Sequence, residues 1–180
     1  MHSFKSLIIV KHSPDRVWSS IRDRIKEIAP LMSDIESVKV LERDENEDGE
    51  VRFVNEWRLL WKLPAVANKI IDPGDLGWLD YAQWDRSRYV CNWRIEPFFH
   101  PESISCSGVT AYEPAIGGRG TRVTFQGDVE IDVANLAGIS QSLSGPVSNV
   151  IENVVTTLVP RNFRKVFEAA EAWLNKQAAG

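Results

Sequence analysis

The 180-residue chain reads as an α+β protein: a curved antiparallel β-sheet of about six or seven strands wrapped around a long C-terminal α-helix, with two short helices after the first strand. Three patterns predict this. Apolar side chains recur at helical spacing over 146–176, they alternate with a period of two across most of 38–132, and Ser13-Pro14 opens a helix directly behind an apolar, β-branched run. At this length roughly 70% of the unfolded surface can be buried. One core suffices, and no linker or repeat divides 1–180, so a single domain is expected.

Residues 4–11 (FKSLIIVK) form the first expected strand. Ser13 is the natural N-cap of the next element, Pro14 fits the first helical position, and Asp15 complements the helix dipole. Val17, Trp18, Ile21, Ile25 and Ile28 then repeat on one helical face to about Ala29, where Pro30 stops the helix and 30–34 form a further short turn. The period changes to two from Val38 and Val40. Beyond the turn signal Asn46-Glu47-Asp48-Gly49, a row of Val51, Phe53, Asn55, Trp57, Leu59 and Trp61 faces away from Arg52, Glu56, Arg58 and Lys62, a long strand with one wet face.

The connection Leu63–Leu76 holds Pro64, Pro73 and Gly74 among Val66, Ile70 and Ile71, too apolar for an ordinary solvated loop; it reads as a lid or a protein-docking surface. Strands over 77–85 and 88–97 follow, joined at Asp85–Arg88. A hairpin of 103–113 and 120–132 turns at Gly117-Gly118-Arg119-Gly120. In its second strand Gly127 interrupts the bulky row Val123, Phe125, Val129 and Ile131 and reads as a gap. A helix over 146–176 would measure roughly 45 Å and so cross the whole sheet, with Pro160 kinking it near Thr156 or Thr157.

Composition removes several classes of function. A net charge of -4 and a pI near 5.4 are the wrong sign for nucleic-acid binding. No apolar run approaches the roughly 20 residues of a membrane span, and no basic segment followed by a long apolar stretch opens the chain, so a cytoplasmic location is expected. Cys91 and Cys106, on successive strands where they face each other across the ladder, read as free thiols, and no metal or cofactor is expected. The charged tract 42–50 is a solvated hairpin tip. His2, His12 and His100 fall at a terminus, a strand end and a turn, where solvated roles are expected.

The order of elements resembles the START-like (SRPBCC) superfamily. The residues that carry the resemblance are HSPDRVWSSIRD after the first strand, the turn WDRSRYV, the hairpin EPAIGGRGTRVTF and the closing VPRNFRKVFEAAEAWL. It implies a helix-grip fold around a hydrophobic pocket, as in polyketide cyclases, lipid and hormone carriers and coenzyme Q-binding proteins. The chain departs from the oxygenase members, having neither the Cys/His pairs of a Rieske cluster nor a dense His-carboxylate cluster for iron.

The candidate ligand-binding residues lie on the aromatic strands and on the last helix. Asn55 is the polar member of an apolar row; left without partners a buried amide costs on the order of 1 to 3 kcal/mol, so it either reads a ligand's polar atom or turns outward at a bulge. Phe53, Trp57, Trp93 and Phe125 wall a cavity or fill a core, and Gly127 leaves room beside them. Tyr81 either offers a hydroxyl to the cavity or reaches a backbone carbonyl from the core, as does Tyr112, which lies close to the hairpin end. Leu158, Phe163 and Phe167 supply the helical wall. No catalytic residue is assigned.

Three functions fit these residues. The first is binding or transport of a hydrophobic small molecule (a lipid, polyketide or isoprenoid-like compound) in an internal cavity. The second is a polyketide cyclase or dehydratase-type enzyme, with Asn55, Tyr81 and Arg94 as the groups to suspect. The third is an interaction module that docks through 63–76.

Overall fold

The computed structural model describes residues 1–60, 72–132 and 159–179. Seven strands form one antiparallel sheet in the order β1-β7-β6-β5-β4-β3-β2. They are β1 (His2–Val10), β2 (Ile35–Glu45), β3 (Val51–Leu59), β4 (Gly77–Asp85), β5 (Val90–Pro97), β6 (Ile104–Ala115) and β7 (Gly120–Ile131). The helices are α1 (Pro14–Ile28) and α2 (Val159–Ala179). Strands β2 to β7 run as a meander, and β1 returns to pair with β7, so the two strands that flank α1 in sequence lie at opposite edges of the sheet.

Two short helices were expected after the first strand. The structure has one helix, α1, with non-helical backbone at Arg24 (φ −121°, ψ 17°), and then a single 3₁₀ turn at Ala29–Leu31. Ser13 stands at the N-cap of α1 in an extended conformation but makes no side-chain cap bond, while Pro14 takes the first turn as its fixed φ favours. Trp18 is fully buried and meets Trp84, Tyr112 and Tyr89 edge-on at 4.8, 5.2 and 5.3 Å, fixing α1 to the sheet.

The turns follow the local chemistry. Asn46 closes the β2–β3 tip by accepting the Glu50 N–H at 2.9 Å, and Gly49 supplies φ 78°. Between β4 and β5, Asp85 accepts from Ser87 Oγ at 2.6 Å and from the Arg88 backbone and guanidinium. These bonds hold its carboxyl at about 2. The β6–β7 turn has three consecutive positive φ values, 52° at Ile116, 61° at Gly117 and 82° at Gly118, a run that only a glycine-rich segment adopts cheaply.

Helix α2 is tied to both edges of the sheet. Its Arg164 donates to the Leu7 carbonyl at 3.1 Å and its Glu171 accepts the Lys11 N–H at 2.9 Å, while Lys165 pairs with Asp34 just before β2. His12, expected to be solvated, is instead buried against α2, its Nε2 2.8 Å from Asn175 Oδ1. Ala169 and Ala170 are buried in one core cluster with Ile25 and Ile28, their small side chains letting α2 approach α1. The kink expected near Thr156 or Thr157, the helical stretch 146–158 with Leu158, Trp61 and most of the Leu63–Leu76 connection lie outside the described residues.

Candidate functional site

The pleat sends alternate residues of each strand to opposite faces, and the register across strands then builds rows on the concave side. One such row is Val40, Asn55, Asp80, Ile95, Cys106 and Val129, each paired with the next across the sheet. Asn55 is not turned out at a bulge: it is 7% exposed and faces inward. Its Nδ2 donates to Asp80 Oδ2 at 3.3 Å, which leaves its Oδ1 buried with no partner among the described residues. Such an orphaned acceptor needs a donor from somewhere.

Asp80 is the one carboxylate of that row. Burial pushes its carboxyl up to about 6, against the opposing pull of the Asn55 bond and of the nearby Trp57 indole. The Trp57 N–H approaches that carboxyl without reaching hydrogen-bond geometry and is itself unsatisfied. Trp57 stacks on its cross-strand partner Trp78, ring centroids 5.8 Å apart, so the polar pair is bordered by an indole stack on one side and by Val40 and Ile95 at the ends of its row. Trp78, Asp80, Ile95 and Ile104 face inward yet are only partly buried.

The other half of the concave face is closed. Phe163 of α2 lies face to face on Phe125 at 3.6 Å, Phe125 stacks on Trp93 at 4.8 Å, and Phe163 meets Phe167 at 4.7 Å. Phe125, Trp93 and Phe167 belong to one buried cluster together with Phe53, Phe4 and Tyr112. Phe53 faces inward between the two halves, with the Arg43 guanidinium 5.3 Å from its ring.

Two sequence expectations are corrected here. Gly127 is not a gap: it pairs with Gly108, and a Cβ on Gly127 would stand 2.6 Å from the Trp93 ring and 3.0 Å from Phe4. The room left by the two glycines is filled by the Trp93 indole, which packs flat on their backbone. Tyr81 does not face the interior. It alternates with Asp80, so it lies on the outer face, where the Arg94 guanidinium covers its ring at 4.0 Å. Arg94, a suspect for the enzyme reading, is on that outer face too and pairs with Glu96 at 3.0 Å.

Cys91 and Cys106 both point inward as buried free thiols but do not face each other, since Cys91 pairs with Thr110 and Cys106 with Ile95. Burial pushes the Cys106 thiol to about 12, so it acts as a small apolar group.

Sequence reasoning missed Asp80. A signal was present: Trp78, Ala82 and Trp84 form an alternate row that must bury large rings, and Asp80 belongs to the same parity. Thus Asn55 and Trp57 are brought together with Asp80, Trp57 also packing in the cluster of Ile25, Ile28, Ala169 and Ala170, whereas Phe53, Trp93, Phe125, Phe163 and Phe167 join the other packed core.

No protein-family model matches the chain, and no curated protein matches its sequence. Solved structures do match over nearly its full length. The Zhui aromatase/cyclase from Streptomyces sp. R1128 is similar with a TM-score of 0.62 and 18% identity, covering 98% of this chain and 95% of that one. Norcoclaurine synthase from Thalictrum flavum is similar with a TM-score of 0.61 and 8% identity over 96% of this chain and 86% of that one. TTHA0849 from Thermus thermophilus has a TM-score of 0.56 and 17% identity over 95% and 98%. At these identities the likeness is one of fold, and the fold is the helix-grip arrangement that the START-like resemblance implied.

Proposed function

We propose that the chain encloses an apolar small molecule between the concave face of its sheet and α2, and that Asn55 and Asp80 anchor the molecule's polar end. The observation that carries this reading is the orphaned Asn55 Oδ1 beside the half-buried Asp80 carboxyl, next to a Trp57–Trp78 stack in which Trp78 is only partly covered. The packed core also leaves the Trp18 and Trp93 indole N–H groups unpaired, but Asn55 Oδ1 is the one orphaned side-chain carbonyl oxygen among the described residues, and its unmade bond is costly. No helix among the described residues is long and apolar enough to cross a membrane. We place the protein in the cytoplasm as a carrier or sensor of a lipid, polyketide or isoprenoid-like compound.

A second reading is favoured by one observation. A carboxyl held near 6 in an apolar setting exchanges its proton close to neutral pH, as a general acid or base must, and two of the similar structures are an aromatase/cyclase and a norcoclaurine synthase. An enzyme of cyclase type would use Asp80 for proton transfer and Asn55 to hold that carboxyl, replacing the Tyr81 and Arg94 suspected from sequence. Protein docking through Leu63–Leu76 rests on residues that are mostly outside those described.

Native mass spectrometry of the protein purified from its own host, with Nile red binding alongside, tests enclosure. A retained small molecule, or saturable Nile red fluorescence displaced by an apolar competitor, is the expected result. A mass equal to the bare chain together with no dye binding would overturn it. Turnover of a poly-β-keto thioester mimic that disappears in Asp80→Asn, with dye binding intact, would select the enzyme.

A further inference from the structure

The donor and acceptor arrangement at Asn55 and Asp80 narrows the class of ligand. The row that holds them contains the acceptor Asn55 Oδ1, unfilled, and the Asp80 carboxyl, which accepts one bond from Asn55 Nδ2. Two positions further along the same face of β3, the buried Trp57 N–H is an unfilled donor. The remaining members of the row are Val40, Ile95, Cys106 and Val129, which offer no charge, burial holding the Cys106 thiol in its neutral form.

Cations on the neighbouring strands are engaged elsewhere. Arg94 is on the outer face with Glu96 and Tyr81, and Arg43, whose guanidinium lies over the inward-facing Phe53 ring, is paired with Asp23 and Glu45. A ligand carboxylate brought to this row would therefore meet an aspartate and an amide oxygen, with no cation in the row to neutralise it. A buried anion without a partner is strongly disfavoured. A ketone fares better but only accepts, and so leaves Asn55 Oδ1 as it was. A hydroxyl does both: its hydrogen goes to Asn55 Oδ1, and its oxygen accepts from the Trp57 N–H or from Asp80 when that carboxyl is protonated.

We propose that the ligand is an apolar body bearing a neutral hydroxyl, seated at Asn55, Trp57 and Asp80, and that the site rejects carboxylates such as fatty acids. This rests on the enclosure reading and specifies its ligand class.

The test uses three probes of one shape, 2-naphthol, 2-methylnaphthalene and 2-naphthoate, titrated against the full chain at neutral pH by displacement of Nile red. The expected order is 2-naphthol roughly fivefold to tenfold tighter than 2-methylnaphthalene, with 2-naphthoate the weakest. Asn55→Leu, of nearly the same size, should abolish the naphthol advantage while still binding Nile red. Asp80→Asn should relieve the rejection of 2-naphthoate, and it carries the test should Asn55→Leu not fold. Equal binding of 2-naphthol and 2-methylnaphthalene, tighter binding of 2-naphthoate, or rejection of 2-naphthoate undiminished in Asp80→Asn overturns the hydroxyl assignment while Nile red binding leaves enclosure standing. Failure of Nile red itself to bind overturns both.

Discussion

The concave face of the sheet is built in two ways. Around Trp93 and Phe125 every gap is filled: two paired glycines make a floor, an indole lies on it, and Phe163 of the helix closes the stack from above. Around Asn55 and Asp80, one row along the same strands, Trp78, Asp80 and Ile95 remain partly uncovered; an unpaired indole N–H occurs in both regions, at Trp57 and at Trp93, but the orphaned amide oxygen of Asn55 occurs only here among the described residues. Both regions are rich in tryptophan, so aromatic content alone does not mark a cavity. The difference is that one set of rings is covered by other rings and the other borders a carboxyl that has no cation beside it.

Removing the ring that closes the packed half should have the largest effect. Trp93→Ala should cost about 4 kcal/mol in urea-induced unfolding, and added indole should recover part of it by refilling the space. A loss below about 1 kcal/mol would mean that this half is not packed as described. Next is the floor itself. Gly108→Val would put a Cβ 2.2 Å from the Gln126 carbonyl and 2.4 Å from the Trp93 ring, a clash with backbone that side-chain rotation cannot relieve. Destabilisation of about 3 kcal/mol is expected, read as a lowered thermal midpoint; an unchanged midpoint would show that the glycines are not required there. Gly127→Trp should fail to fold for the same reason, rather than fill a vacant site.

The polar half responds to pH instead. Asp80 titrates at about 6 in the fold and near 3.8 when unfolded, so the native state holds its proton more tightly. The group's contribution is fully present below about pH 4 and is lost as pH rises through about 6, a decline of up to about 3 kcal/mol. Asp80→Asn should remove that decline and become the more stable protein above pH 6, whereas parallel pH profiles for the two proteins would contradict a buried, unpaired carboxyl. The smallest effect belongs to the outer face. Arg94→Ala should lose only about 0.5 kcal/mol, the worth of an exposed cation–π contact, and Tyr81→Phe should leave Nile red affinity unaltered; weakened binding would return Tyr81 to the interior.

Much of this was readable from local pattern. Helix α1 begins at Pro14 as its punctuation indicates, the hairpins turn where Asn46-Glu47-Asp48-Gly49 and Gly117-Gly118 stand, and Asn55 faces the interior with the row it alternates in. The errors share a form. On β4 two rows were available, Leu79-Tyr81-Gln83 and Trp78-Asp80-Ala82-Trp84; the two tryptophans pointed to the second, but each row mixes apolar with polar residues, and it is the pairing of Asn55 with Asp80 that decides. The expected gap at Gly127 was inferred from its own strand, although the ring that fills it comes from β5, with β6 between.

The sequence by itself therefore determined the elements, their order and the helix-grip class, because periodicity, caps and turns are set by residues within a few positions of one another. Only the tertiary structure decided which side chains meet: that Trp93 occupies the space of Gly108 and Gly127, that Phe163 covers Phe125, and that Asp80 lies beside Asn55. Those contacts join strands and a helix far apart in the chain, and what fills a space or satisfies a polar atom depends on register between non-adjacent segments, which no local pattern encodes.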